Sequence, residues 1–251
     1  MKILLLISLF LSLQSYADDI DSNSVIIVAQ TERSNLSNNY ASHDSNSVEL
    51  TLQKKDKKSF RIKSERVSRY DTKDSRAQYS FTLPISDKLL GTASYTKANN
   101  GVVIPKQSLF GQLVYSGKDS YVFSVSNKKN KYNLGAENTT NSLEIAKYLN
   151  NYRLSYAHNI TDVKNARSTS SNKITAHYFY DKHYVATALS HGQEAESLSN
   201  GSILLTDVES LSIYGEYWPE KKWGLRYSIN RTNQGDLYVK KGASVAVIHR
   251  F

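Results

Sequence analysis

The stretch Trp223-Gly224-Leu225-Arg226-Tyr227-Ser228-Ile229-Asn230 decides how this chain is read. Trp223, Leu225, Tyr227 and Ile229 alternate strictly with Gly224, Arg226, Ser228 and Asn230. A period of two puts the first set on one face of a β-strand and the second set on the other. One face is apolar and opens on an aromatic; the other carries an arginine and an asparagine. In a soluble sheet the apolar face is core. In an outer-membrane barrel the same alternation means lipid outside and water inside. Before this stretch, SLSIYGEYW (210–218) supplies a hairpin partner, and after it GASVAVIHRF (242–251) forms a last strand.

Both ends of the chain favour the membrane reading. The last strand closes on Phe251, a terminal phenylalanine like the signal read by the bacterial barrel-assembly machinery; His249 departs from that signal, which has an apolar or aromatic residue there. At the other end, Met1-Lys2 precedes an apolar run from Ile3 to Leu13 and a small-residue exit at Ser15-Tyr16-Ala17. That is the pattern of a secretory signal peptide, too short for a spanning helix of ~20 residues. Residues 1–17 are expected to be removed, leaving a single barrel domain over 18–251. With no cysteine, a lipid-anchored lipoprotein is excluded and no disulfide staples the fold. No later segment reads as a spanning helix, so a membrane home requires a closed barrel.

The composition fits. Eighteen tyrosines, one methionine and three prolines suit a two-faced sheet with polar connectors. The formal charge of +9 points to anionic partners: lipopolysaccharide phosphates or an acidic polysaccharide. The exported address argues against nucleic acid.

About fourteen alternating segments can be laid along the chain, each near the ~9–11 residues of a tilted barrel strand, with twelve or sixteen as alternative counts. The expected fold is therefore an all-β, antiparallel, up-and-down transmembrane barrel. One set of connectors is short: KKDKK (54–58), SDK (86–88), GKD (117–119), NN (150–151), DKH (181–183) and PEKK (219–222). The alternate set is mostly longer, from SNLSNNYASHDSN (34–46) to TNQGDLYVKK (232–241). Short turns on one rim and long loops on the other is the outer-membrane pattern, with the short turns periplasmic. Aromatics flank two short turns, Tyr217, Trp218 and Trp223 at one and Tyr178, Tyr180 and Tyr184 at the other, as an interfacial girdle or as cross-strand pairs.

The C-terminal part, from about Tyr152 to Phe251, resembles the YaiO-type outer-membrane β-barrel family. The residues that carry the resemblance are SHGQEAE (190–196), LLTDVESLSIYGEYW (204–218), WGLRYSINRTNQGD (223–236) and the closing KKGASVAVIHRF. The resemblance implies an outer-membrane barrel associated with surface or exopolysaccharide systems, without a defined reaction. The helical repeats that family members often carry before the barrel are not seen in this sequence.

Four groups of residues are candidates for function. Parity puts Arg61, Lys63, Glu144, Arg153, Glu216, Arg226 and Arg250 on the lumen side, either as a basic-biased lining that attracts an anion or as Arg–Glu pairs that brace a narrow lumen. Glu194, Glu196 and Asp207 lie in a long connector, able to meet a cation or sugar hydroxyls, or simply solvated; their spacing is not that of a calcium loop. His177, His183 and His191, with Ser199-Asn200-Gly201, hint at an outer-membrane lipid hydrolase. Ser197 stands where that motif needs histidine, and a serine without its base is a weak nucleophile. The run from Lys54 to Arg76 carries ten cations against four acids and reads as a lipopolysaccharide or periplasmic contact, or as a solvated turn. No cofactor or metal is called for. The leading expectation is a non-enzymatic, porin-like or export-associated barrel; an enzyme acting on lipid or lipopolysaccharide, and a structural barrel binding a partner through its loops, are the alternatives.

Overall fold

The computed structural model describes residues 23–38, 41–69, 72–102, 104–164, 166–197 and 203–251, with the side chains of residues 134, 194–197 and 203–204 excepted. The expected signal peptide therefore lies outside the described residues. Fourteen strands follow in chain order: β1 (Ser24–Leu36), β2 (His43–Gln53), β3 (Ser59–Arg69), β4 (Thr72–Ser86), β5 (Leu89–Ala98), β6 (Gln107–Ser116) and β7 (Tyr121–Lys131). They continue as β8 (Glu137–Leu149), β9 (Tyr152–Val163), β10 (Thr169–Tyr180), β11 (His183–Ser197), β12 (Ile203–Tyr217), β13 (Trp223–Gln234) and β14 (Tyr238–Arg250). Each pairs antiparallel with its sequence neighbours, and β1 pairs with β14 to close the barrel. Closure leaves no unpaired strand edge, which is what lets a sheet sit in lipid.

The alternation of WGLRYSIN is realised as expected. Trp223, Leu225 and Ile229 are exposed on the outer surface, while Gly224 is buried on the inner one. Around the barrel the same parity leaves Leu50, Phe81, Leu109, Phe123, Leu143 and Leu154 bare on the outside. So many bare aliphatic and aromatic side chains in one belt make sense only against lipid. Among the described residues no helix is long and apolar enough to cross a membrane. Pro84 sits where the β4–β5 register shifts between Pro84 and Ser86, the kind of irregularity that tolerates a missing backbone N–H.

The connector asymmetry has a different origin from the one the sequence suggests. Most long connectors are largely strand: β11 runs on to Ser197, β13 to Gln234, and β8 begins at Glu137. What separates the two rims is where the outward apolar residues stop. On β13 they run Trp223, Leu225, Tyr227, Ile229 and then give way to Arg231 and Asn233, which still pair with β14. Backbone hydrogen bonds hold a strand together above the bilayer as well as inside it, so the ladder outlasts the apolar pattern.

The rim where β1 begins and β14 ends carries the girdle. Trp223 and His249 rings lie 4.2 Å apart, and His249 meets Phe251 edge-on at 4.3 Å. His249 thus supplies the third ring of an outward stack, filling the place of the missing apolar residue. Tyr152 lies 5.0 Å from Tyr178, and His183 stacks on Tyr217 at 4.7 Å. Trp218 and Tyr184 do not belong to the girdle. One residue out of step with Tyr217, Trp218 turns inward and packs on Val28, Ala246 and Ile248; Tyr184, opposite Phe179 and Glu216 on the inner face, lies 6.2 Å from the Phe179 ring.

The far mouth is partly covered by the connector after β5. The Gly101 and Val102 N–H groups donate to the two carboxylate oxygens of Asp74, at 3.1 and 2.8 Å. Ile104 then packs inward on Val67 and Ala98.

Candidate functional site: the charged lumen wall

The seven lumen candidates all fall on the inner parity of the observed register. Two ion pairs join directly opposed residues: Glu216 faces Arg226 and Glu65 faces Arg76. Arg226 reaches Glu216 at 2.6 Å, and Arg76 donates to Glu65. Arg153, directly opposite Tyr148, reaches four residues along the ladder to donate to Glu144, which faces Ala157; both are almost fully buried. Arg61 lies 3.8 Å from Glu49 and Lys63 3.5 Å from Glu65. Arg250 makes no ion pair among the described residues, and its guanidinium lies 4.7 Å from the Trp218 ring. Antiparallel pairing explains the Glu216–Arg226 and Glu65–Arg76 pairs, since directly opposed side chains on one face lie within ~5 Å.

Beside these stand cations that the sequence reading passed over. Lys128 on β7 is opposite Phe110 and Lys173 on β10 is opposite Ala157, both on the inner face. Neither makes an ion pair among the described residues. Lys128 is within electrostatic reach of Arg76, a like charge, and Lys173 of both Glu144 and Arg153. At the far mouth Lys240 lies 3.9 Å from Glu32. The wall is therefore a set of braced Arg–carboxylate pairs with a surplus of positive charge.

An aromatic cluster adjoins it. His177 stacks on Phe179 at 5.9 Å, meets the Tyr214 ring edge-on at 5.9 Å, and shares a 3.3 Å hydrogen bond with the Tyr214 hydroxyl. Arg153 lies 5.9 Å from the Tyr148 ring. Tyr148, His177, Phe179, Tyr184 and Tyr214 share the parity of Arg153, so counting residues from it would have found them.

The other candidates are dispersed. Glu194 and Glu196 lie in β11, opposite Thr206 and Leu204, rather than in a loop. Asp207 is in β12, opposite Gln193 and out of step with Glu194; it accepts a 3.0 Å hydrogen bond from the Gln193 amide. The three do not form one acidic loop, because continued pairing of β11 with β12 places them on two strands of one ladder, out of step with one another. The connector's Ser199-Asn200-Gly201 lies outside the described residues. His183 accepts from the Trp218 backbone N–H at 2.9 Å, a turn-fixing bond. His191 faces outward, 3.5 Å from Glu209, with both side chains well exposed. The basic run from Lys54 to Arg76 is divided by the fold. Its first lysines sit in the turn after β2, where the Lys58 ammonium hydrogen-bonds Asp56 at 2.5 Å and holds that carboxyl below its usual range. Arg61, Lys63 and Arg76 face the lumen, and Arg66 faces out.

The architecture recurs among solved outer-membrane channels. The CymD monoaromatic hydrocarbon channel superposes with a TM-score of 0.60 at 8% identity, covering 91% of this chain and 88% of that one. An outer-membrane channel from Pseudomonas putida F1 gives 0.57 at 11% identity, over 94% and 100%. An anion-selective porin from Comamonas acidovorans gives 0.51 at 9% identity, over 92% and 99%. Identities this low establish the fold alone. No curated protein matches the chain by sequence. The YaiO membrane beta barrel domain matches residues 25–197, from β1 to the end of β11; of the stretches that carry the sequence resemblance it includes SHGQEAE (190–196), while the three from Leu204 onward lie beyond it. Closed fourteen-strand topology, lipid-facing belt and family match together place the protein in the bacterial outer membrane, and the chain belongs to the YaiO family of membrane β-barrel domains.

Proposed function

We propose that this barrel is a non-enzymatic, channel-like protein whose basic lumen attracts an anionic solute or chain in the setting of surface polysaccharide export. Lys128 and Lys173 carry the reading. They are lumen-facing cations without an ion pair among the described residues, on a wall where Arg76, Arg153 and Arg226 are already matched to Glu65, Glu144 and Glu216. Charge left over on a confined, low-dielectric wall raises the local concentration of the opposite ion. The matched pairs brace the wall, so bracing and attraction belong to different residues.

The test is conductance of the refolded barrel in planar bilayers under a salt gradient. Anion-over-cation selectivity is expected, lost or reversed in the Lys128→Glu, Lys173→Glu double variant, with block by an acidic oligosaccharide and not by a neutral one. A folded, heat-shifted barrel that passes no current overturns the channel reading. An enzyme acting on lipid or lipopolysaccharide is the second reading, resting on the His191–Glu209 contact at 3.5 Å. Lipid hydrolysis that disappears in His191→Ala would put it in place of the first.

A further inference from the structure

At the far border of the apolar belt, the outer surface carries an arc of cations on β13, β14, β1 and β3, with Asp44 and Asn46 of β2 between the last two. Arg231 on β13 pairs directly with Lys241 on β14. Arg33 on β1 follows, opposite Ala243, and Arg66 on β3 completes the arc, opposite Asn46. All four are exposed and share the outward parity of the residues beneath them, which include Ile229, Val245, Ile27 and Val48. Arg231 stands one step beyond Ile229, while Ala243 separates Lys241 from Val245, Thr31 and Ala29 separate Arg33 from Ile27, and Ser64 separates Arg66 from Ile62, so the arc borders the belt across small or polar outward residues.

Its charge is little neutralised. Asp44 lies 3.8 Å from the Arg33 Nε, with both groups largely in solvent. Glu209, on the adjoining strand β12 and one step from Arg231's partner Leu211, is engaged with His191 at 3.5 Å. Arg231, Lys241 and Arg66 make no ion pair among the described residues. The outward lysines on β7 differ, since Glu137 stands 3.5 Å from Lys129 and 4.0 Å from Lys131. Strands are ~4.8 Å apart across a sheet, so the arc from β13 to β3 spans roughly 20 Å. A row of this length can meet more than one phosphate at once. Its three guanidinium forks suit phosphate oxygens, which they can engage two at a time.

We propose that Arg231, Lys241, Arg33 and Arg66 form a docking site for the phosphorylated headgroup of an outer-leaflet glycolipid, whose acyl chains lie on the apolar belt below. The height of the arc selects a lipid over a soluble anion, because only a membrane-resident ligand contacts both layers. Its length selects a headgroup with two phosphates over a glycerophospholipid with one. The inference is independent of the lumen, which faces the opposite way.

The experiment uses the full barrel refolded in zwitterionic bicelles and titrated with lipid A, followed by native mass spectrometry. Wild type is expected to retain lipid A and to bind lipid A stripped of its phosphates at least tenfold more weakly. The Arg33→Gln, Arg66→Gln, Arg231→Gln, Lys241→Gln variant is expected to lose the same factor, while Lys221→Gln, Lys222→Gln in the opposite rim's turn between β12 and β13 leaves binding unchanged. Heat-shifted gel mobility confirms that each variant is folded. The dephosphorylated ligand tests the idea on wild type even if the quadruple variant fails to fold. Equal retention of the dephosphorylated lipid, equal retention by the folded quadruple variant, or displacement by phosphatidylglycerol at equal concentration would each overturn the proposal.

Discussion

Replacing Asp74 with alanine tests how the far mouth is held. The carboxylate is nearly fully buried and accepts from the Gly101 and Val102 N–H groups at 3.1 and 2.8 Å. Hydrogen bonds to a charged group contribute about 1.5–3 kcal/mol each, so their loss weakens the connector by at least about 3 kcal/mol. At about 1.4 kcal/mol per factor of ten, that lower bound corresponds to roughly a hundredfold change in local opening. The contact of Ile104 with Val67 and Ala98 remains, so loosening rather than barrel unfolding is expected. Gly101 resists replacement of its own conformation, since its φ of +67° and the 2.7 Å approach of an added Cβ to Lys106 both exclude a side chain. The assay is amide hydrogen exchange at residues 101 and 102 in folded, detergent-solubilised protein. A roughly hundredfold loss of protection is expected in Asp74→Ala, with a smaller loss in Asp74→Asn, which keeps an acceptor oxygen without its charge. Unchanged protection in Asp74→Ala, together with its loss in Ile104→Ala, would refute the reasoning and assign the anchor to apolar contact.

Three further perturbations follow from the lumen wall and the closing strand. Arg153→Ala strands Glu144 inside the barrel and is expected to cost about 3–5 kcal/mol; Arg153→Met with Glu144→Leu should recover most of it, as read by the denaturant midpoint of the heat-shifted band. Gly224→Ala brings a methyl group within 2.9–3.0 Å of the Trp218 ring, an overpacking cost of about 1–3 kcal/mol. Adding Trp218→Leu should relieve that cost, and a Gly224→Ala protein as stable as wild type would show that the ring moves aside freely. Deleting Phe251 removes the end of the Trp223–His249–Phe251 stack and the 2.9 Å bond from its N–H to the Val25 carbonyl. Slower insertion by the purified assembly machinery is expected, with little change in stability once the barrel is closed; an unchanged insertion rate would count against Phe251 as a signal.

Much of the fold was legible because lipid and water sort side chains with a period of two. Trp223, Leu225, Tyr227 and Ile229 announce their face without any partner, and the inward parity of Arg153, Glu216 and Arg226 follows from the same count. The rule fails where lipid no longer surrounds the sheet. Residues such as Asn233, Lys241 and Ser34 look like loop because neither face is apolar, yet they remain in the ladder. Glu194 and Glu196 were misplaced for the same reason. Trp218 shows the opposite limit: an aromatic beside a turn suggests the interface, and one residue of parity sends it into the lumen instead.

The sequence by itself determined the class of fold, the approximate strand number and the face of most strand residues, because these depend on local alternation and on the solvent each face meets. Tertiary structure decided what depends on register between distant strands. It set which carboxylate neutralises which arginine, left Lys128 and Lys173 without an ion pair among the described residues, folded Ile104 into the mouth, and aligned Arg231, Lys241, Arg33 and Arg66 into one arc. The last of these joins strands from opposite ends of the chain. Their proximity exists only because β1 and β14 close the barrel.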